Sequence, residues 1–185
     1  MKKGIIISGS LAQDHEFIYP YYRLLEEDIK IDVCLLEGKP VVGILGTALP
    51  PNKEQIIKKI EDIKVADYDV LVLPGGVKAM EKVRQNKDII KFISDFDKEK
   101  KIIACICSGA QLLISAKVVK GRKIAGYYSM KDDLINAGAN YTDLPAVIDD
   151  NIITTAHYKD MGPWMKEVIK KLRSFWCYEI QRKLD

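Results

Sequence analysis

The chain has few of the residues that build disulfide frameworks or metal sites. Its 185 residues include only two histidines and four cysteines. The cysteines show neither the pattern of a small disulfide-rich secreted domain nor a paired zinc-knuckle spacing. We therefore expect reduced thiols in a reducing compartment, with no disulfide, no metal and no other cofactor. The four are Cys34, Cys105, Cys107 and Cys177.

An excess of one charge and a long apolar segment are also missing. The 29 basic and 26 acidic residues are scattered, and the net charge is +3. Without a basic stripe we expect no nucleic-acid partner, and without a long apolar run we expect no membrane partner. Near the amino terminus the run Ile5–Ile7 is broken by Ser8-Gly9-Ser10, so it is too short for a secretory signal. The sequence therefore predicts a first strand here, in a cytoplasmic protein.

Short apolar runs alternate with amphipathic segments along the chain. Runs of Ile, Val and Leu followed by helical periodicity are typical of parallel strands in a sheet covered on both faces. With 48% hydrophobic residues, the sequence predicts one α/β domain over residues 1–185. Strands are predicted at 3–8, 31–37, 41–45, 69–73, 101–106, 146–148 and 152–155. Helices are predicted at 15–29 with Asp14 as a cap, 53–63, 88–98, 108–115, 131–137 and 163–176.

Functional sites of parallel sheets gather where the strands end. Two such ends carry unusual residues, Pro74-Gly75-Gly76 and Cys107-Ser108-Gly109. At the second, a strand turns directly into a helix, and such a tight turn exposes a side chain. Positive partial charge at the helix start would favour the Cys107 thiolate. Cys105, inside the strand, is predicted to fill the core, and position alone leaves that role open for Cys107 as well.

Eight segments together carry a family resemblance. They are Glu16–Pro20, Tyr68–Gly76, Ala104–Gly109, Gln111–Ala116, Lys120–Lys123, Lys131–Gly138, Asp160 and Trp164-Met165. In this combination the chain resembles the ThiJ/PfpI family of the class I glutamine amidotransferase-like superfamily, and most closely its PfpI-type branch. That family includes intracellular proteases, amidases and the Parkinson-associated deglycase. The resemblance implies a single-domain, flavodoxin-like three-layer sandwich with a mainly parallel sheet and a nucleophile elbow.

The resemblance also implies residue roles. The family's nucleophile falls on Cys107 and its acidic partner on Glu16. A carboxyl and a thiolate in contact would share one proton, with Glu16 donating a hydrogen bond to sulfur. Tyr127 matches a tyrosine on the substrate side of protease-like sites. Without the resemblance, the favoured interpretation of Glu16 is a first-turn glutamate stabilised by the helix dipole, and Tyr127 can be a half-buried aromatic with a solvated hydroxyl. The N–H groups expected to bind an oxyanion are those of Gly75, Gly76 and Ser108.

Three positions depart from the protease-like pattern. Ser108 stands where those members carry histidine, Gln13 replaces a second acidic residue, and Thr155-Ala156 replaces Ser-Arg before the last helix. Serine cannot serve as a base at neutral pH, so the adjacent Cys-His dyad is missing. His157, in the same late loop, is the candidate base. His15 is a weaker candidate.

These features favour a cysteine-nucleophile enzyme that acts on a carbonyl of a small molecule or of a peptide or protein adduct. The reaction is that of an amidase- or peptidase-like hydrolase or of a glyoxalase/deglycase, and peptidase activity is the less supported because the adjacent histidine is absent. The alternative is a non-enzymatic redox-sensing stress protein that uses an oxidisable Cys107. A binding or structural module is disfavoured by the presence of both Cys107 and Glu16. The resemblance further implies a homo-oligomer, a dimer or higher.

Overall fold

The computed structural model describes residues 2–184, with side chains through Cys177, and contains a central sheet flanked by helices. The strands in this part of the chain are β1 (Lys3–Ser8), β2 (Lys30–Leu35), β3 (Val41–Val42), β4 (Ala48–Leu49), β5 (Ile57–Lys58), β6 (Val70–Leu73), β7 (Ile102–Ile106), β8 (Lys123–Ile124), β9 (Asn140–Tyr141), β10 (Val147–Asp149) and β11 (Ile152–Thr155). The helices are α1 (Asp14–Leu25), α2 (Val77–Val83), α3 (Lys87–Lys98), α4 (Ala110–Ser115), α5 (Lys131–Asn136) and α6 (Met161–Leu184).

Seven strands form the central sheet, in the order β10-β11-β7-β6-β1-β2-β5. Every neighbouring pair is parallel except β10 and β11. The connection from β1 through α1 to β2 moves along the sheet in the opposite direction to the connection from β6 through α2 and α3 to β7. Because both crossovers are right-handed, their helices cover opposite faces of the sheet. The predicted α/β sandwich with a mainly parallel sheet is confirmed.

The strand order reverses at β1, which lies between β6 and β2. A crevice forms outside the carboxyl ends of the strands at such a switch point. The loop after β6, the turn after β7 and the start of α1 all leave the sheet at this edge. The topology therefore brings Gly75, Cys107 and Glu16 together from three distant parts of the sequence.

The central strands are buried on both faces, as their continuous apolar runs predict. Ile5–Ile7, Val70–Leu73 and Ile102–Ile106 are at most 1% exposed. Helix α6 is fixed against β11 by Trp164, which is fully buried and donates its indole N–H to the carbonyl oxygen of Ile153 at 3.0 Å. The functional edge is thus supported by a rigid core. No described helix is long and apolar enough to cross a membrane.

The predicted helix over 53–63 is wrong. Its residues instead form β5 and a short 3₁₀ turn at Ile60–Asp62. The isoleucines do not share one buried face, because Ile56 is 72% exposed while Ile63 is buried. Ile57 pairs with Val33 and extends the edge of the sheet, an environment that suits a β-branched residue.

Helix α1 is shorter than predicted and starts differently. It ends at Leu25 because Asp28 adopts a φ of +57° and turns the chain, after which the Ile29 N–H bonds to the Leu24 carbonyl. Asp14 is not the cap, since Gln13 occupies that position without a side-chain bond. Four further elements, α2, β4, β8 and β9, were not predicted from the sequence, and α6 runs from Met161 to Leu184 rather than over 163–176.

Candidate functional site

Cys107 lies in the strained turn that the sequence predicts. β7 ends at Ile106, a 3₁₀ turn covers Cys107–Gly109, and α4 begins at Ala110. Cys107 has a φ of +59°, in the left-handed region that non-glycine residues rarely adopt. Holding such a residue there costs on the order of 1–3 kcal/mol, and strain of this kind clusters at functional sites. A strand, a strained turn and a helix together are the geometry of a nucleophile elbow.

The two neighbouring cysteines differ as expected. Cys105 is fully buried within β7, whereas Cys107 is partly exposed. Burial raises the pKa of the Cys105 thiol, because an anion there would have no water around it. Cys105 is therefore a core residue.

Glu16 reaches Cys107 from the first turns of α1. Its side chain is fully buried, and its Oε2 accepts a hydrogen bond from the Gly75 N–H at 2.8 Å. The carboxyl faces the Cys107 side chain, since both groups converge on Gly75. Its second oxygen, Oε1, has no hydrogen-bond partner among the described residues. Burial raises the pKa of Glu16 to about 7, against the lowering effect of the bonds to Cys107 and Gly75.

The electrostatics of Cys107 differ from the sequence-based expectation of a lowered pKa. Burial, together with the nearby Glu16 charge, raises the pKa of the Cys107 thiol to about 12, and the Ser108 N–H opposes this only in part. The helix that follows has six residues, and its dipole does not outweigh desolvation. Glu16 and Cys107 therefore cannot both be ionised near neutral pH: the pair loses its first proton at about pH 7 and shares the remaining one above that pH.

The absence of a side chain at Gly75 leaves room for the Glu16 carboxyl and the Cys107 side chain. A Cβ at Gly75 would overlap Glu16 Oε2 and would lie 2.8 Å from the Cys107 Cβ and 3.0 Å from its sulfur. Gly76 next to it has a φ of +101°, which side-chain-bearing residues rarely adopt. The Pro74-Gly75-Gly76 turn is therefore shaped by the two side chains that it touches.

Gly75→Ala is expected to disrupt the site more than the fold. The added methyl group must displace either the Glu16 carboxyl or the Cys107 side chain, which breaks the bond at 2.8 Å between Glu16 and the Gly75 N–H. We expect Cys107 alkylation kinetics to change at least about tenfold, because geometric errors of this size in reactive groups are costly. Gly162→Ala is the matched control, since a Cβ there meets no neighbouring atom. Alkylation kinetics equal to wild type in Gly75→Ala would contradict this description of the contact.

The predicted oxyanion donors are not equivalent. The Gly75 N–H is already bonded to Glu16. The Ser108 N–H lowers the pKa of the Cys107 thiol in part, and Ser108 itself is fully buried. Gly76 precedes α2 and follows the occupied Gly75. The geometry thus leaves the Ser108 and Gly76 N–H groups as the candidates for binding a substrate oxygen.

Tyr127 and His157 lie beside this pair rather than within it. The Tyr127 N–H donates to the Cys107 carbonyl at 3.2 Å. The His157 ring lies 6.2 Å from the Tyr127 ring, and its Nδ1 accepts the Lys159 N–H at 3.2 Å. Between residues 2 and 177, no hydrogen bond joins His157 to Cys107 or Glu16. His15 is exposed, with its ring 5.8 Å from that of Tyr158.

The role of Asp14 was missed from the sequence. Its buried carboxylate accepts the N–H groups of Leu45 at 2.7 Å and Thr47 at 2.9 Å. These bonds lower the pKa of Asp14, although burial opposes them. They fix the loop between β3 and β4 against the start of α1, two residues before Glu16. Because Asp14 and Leu45 are 31 residues apart in the sequence, no local signal predicts the contact.

Within the described residues, no group of three or more histidine, cysteine or carboxylate side chains is placed to hold a metal ion.

Comparison with known proteins places this chain in a family. The model of the DJ-1/PfpI family matches residues 2–171. The chain is 36% identical over 171 residues to Deglycase PfpI of Pyrococcus furiosus, covering 92% of this chain and 99% of that protein. It is 34% identical over 173 residues to YraA of Bacillus subtilis, named as a candidate cysteine protease, covering 93% and 99%. The chain belongs to the DJ-1/PfpI family.

A solved structure shows the same fold. The crystal structure of Drosophila melanogaster DJ-1beta superposes with a TM-score of 0.82 at 24% sequence identity, covering 92% of this chain and 90% of that chain. The family's relatives with deglycase and protease names support an enzyme of the DJ-1/PfpI type.

Proposed function

We propose that this chain is a cysteine-dependent deglycase or glyoxalase-type enzyme that acts on reactive carbonyl groups of small molecules or protein adducts. The observation that carries the proposal is the convergence of Cys107, at its strained turn, and of the buried Glu16 carboxyl on the backbone of Gly75. The deglycase name of the Pyrococcus relative supports the same chemistry.

In the proposed first step, the Cys107 sulfur bonds to a carbonyl carbon and the C=O π electrons move to oxygen. The thiol proton passes to Glu16 and then to that oxygen, so the product is a neutral hemithioacetal. The Ser108 and Gly76 N–H groups would stabilise the charge on oxygen before the proton arrives. Overall, an α-oxoaldehyde and one water give an α-hydroxy acid, because one carbon is oxidised while its neighbour is reduced.

Amide hydrolysis is the less supported reaction. Expulsion of an amine requires a proton donor on the leaving-group side, a role that histidine usually fills. In the described chain no histidine is hydrogen-bonded to Cys107, and Ser108 follows it directly. Carbonyl addition needs only the proton that Glu16 and Cys107 already share.

The test is to incubate the purified chain with methylglyoxal and, separately, with an aminoacyl amide, and to measure lactate and free amine. We expect lactate formation. Amide hydrolysis without lactate formation would overturn the proposal in favour of a peptidase-type hydrolase. Turnover of neither substrate, combined with a peroxide-dependent mass gain at Cys107, would favour the redox-sensing alternative.

His157→Ala tests the candidate base. We propose that the free Nε2 of His157 takes part in proton transfer during the later steps, since its Nδ1 is bonded to the Lys159 N–H. Loss of a general base lowers turnover by about 10²–10⁴-fold, and we expect a fall in this range. His15→Ala is measured alongside, because His15 is the other candidate base and its ring lies 5.8 Å from that of Tyr158. Tyr22→Ala is the control, since Tyr22 is exposed on α1. An unchanged rate in His157→Ala would remove His157 from the site.

A further inference from the structure

Four aromatic rings stand together at the edge of the sheet that carries Cys107. Tyr127 and Tyr128 precede α5, and His157 and Tyr158 follow β11; we name these four residues the aromatic rim. The His157 ring lies 6.2 Å from Tyr127 and 6.1 Å from Tyr128, at interplanar angles of 24° and 18°. The Tyr158 ring centroid is 4.0 Å from that of His157. The His157 ring is thus nearly parallel to the Tyr127 and Tyr128 rings, whereas the Tyr158 ring is tilted from it by 43°.

The rim is attached directly to the candidate nucleophile. The Tyr127 N–H donates to the Cys107 carbonyl at 3.2 Å. On the other side, Thr155 pairs with Ile106 in the parallel register, so His157 leaves the sheet beside the strand end that carries Cys107. Tyr128 and Tyr158 are each 44% exposed. When a carbonyl carbon bonds to the Cys107 sulfur, a substituent on that carbon would therefore lie at the same sheet edge as the exposed rings of Tyr128 and Tyr158.

The charges around the rim indicate which substituent fits. The Lys159 ammonium lies 5.9 Å from the centre of the Tyr128 ring and over its face. A cation therefore already occupies the position where a cationic ligand would stack. The Tyr128 hydroxyl raises the pKa of the Lys159 ammonium most. Asp160 and Asp143 raise that pKa further, and the charges of these two carboxylates offset that of the lysine. The remaining faces suit an uncharged flat group.

We propose that the aromatic rim binds an uncharged aromatic substituent next to the reacting carbonyl, so that aryl carbonyl compounds react with Cys107 in preference to alkyl ones. The inference deepens the proposed function by naming the class of substituent. The preference itself requires only a reachable Cys107 thiol, because it acts before any turnover.

The test compares alkylation of Cys107 by 2-bromoacetophenone and by bromoacetone. In both reactions the sulfur–carbon bond forms, the carbon–bromine bond breaks, bromide leaves and the thiol proton passes to buffer. Each rate is divided by the rate with N-acetylcysteine, which removes the intrinsic difference between the reagents. Each stacked ring pair changes binding about 2- to 10-fold, so we expect the corrected aryl-to-alkyl ratio to exceed one by at least this factor.

Variants separate the ring faces from the hydroxyl groups. Tyr128→Ala and Tyr158→Ala should each lower the corrected ratio by about 2- to 10-fold, while Tyr128→Phe and Tyr158→Phe should keep it. Tyr22→Ala is the control, since Tyr22 is exposed on α1 and outside the rim. A corrected ratio of one in the wild type, or a ratio that the alanine variants leave unchanged, would overturn the inference.

Methylglyoxal turnover of the same proteins distinguishes the two proposals. Normal methylglyoxal turnover together with a corrected aryl-to-alkyl ratio of one would reject only the proposed role of the aromatic rim. A high ratio without turnover of any carbonyl substrate removes the proposed function and leaves the rim as a binding site.

Discussion

Replacing Cys107 by alanine is expected to reduce methylglyoxal turnover at least about a thousand-fold, because loss of a covalent nucleophile removes the reaction path rather than slowing one step. The substitution should be tolerated by the fold, since alanine is smaller and Cys107 is partly exposed. The measurement is lactate formation under saturating substrate.

Cys177→Ala is the matched control for this prediction, since Cys177 is an exposed thiol on α6. It should retain wild-type turnover. Substantial lactate formation by Cys107→Ala would remove Cys107 as the nucleophile. Equal losses in both cysteine variants would show that the effect is not specific to the site.

Glu16→Gln is expected to lower turnover about 10²–10⁴-fold, the usual contribution of a positioned acid or base. Glutamine keeps the size of the side chain, and its amide oxygen can still accept the Gly75 N–H, so the loss isolates proton transfer. Because burial raises the pKa of Glu16 to about 7, wild-type turnover should rise with pH through this value. The variant should lack that rise, and a variant profile identical to wild type would contradict the proton-sharing role.

The same substitution should stabilise the fold at alkaline pH. The pKa of Glu16 is raised from its ordinary 4.5 to about 7, so the folded protein holds this proton more tightly than the unfolded chain. The contribution of Glu16 to stability is therefore highest below about pH 4.5 and declines until pH exceeds 7, by about 3 kcal/mol in all. In urea denaturation, Glu16→Gln should raise the free energy of unfolding at pH 8 by up to about 3 kcal/mol and change it little at pH 4. Equal effects at both pH values would contradict the raised pKa.

The central strands and the elbow could be predicted because their signals are local. β1, β6 and β7 are continuous apolar runs buried on both faces, and the change from strand to helix at Cys107 is visible in four residues. The segment 53–63 could not be assigned this way. Its isoleucines fit a helical period, but pairing with β2 at the sheet edge decided its structure.

The chemistry of the site depends on contacts between distant segments. The prediction of a lowered pKa for Cys107 took account only of the helix that follows it. Burial and Glu16, which lies 91 positions earlier in the sequence, raise the pKa of this thiol instead. The aromatic rim likewise arises because β11 lies beside β7, which brings His157 and Tyr158 to Tyr127 and Tyr128. Neither the spacing nor the composition of these segments predicts that β11 lies beside β7.

The most direct measurement of the central claim is the rate of Cys107 alkylation by iodoacetamide from pH 5 to 10, followed by peptide mass spectrometry in wild type and Glu16→Gln. Above about pH 7 the pair has lost its first proton, and Glu16 can then accept the thiol proton. We therefore expect the wild-type rate to rise through about pH 7 and to reach a plateau, and we expect Glu16→Gln to lack this rise. A single rise near pH 8.5, as for an unperturbed thiol, with the same curve in both proteins, would contradict the account.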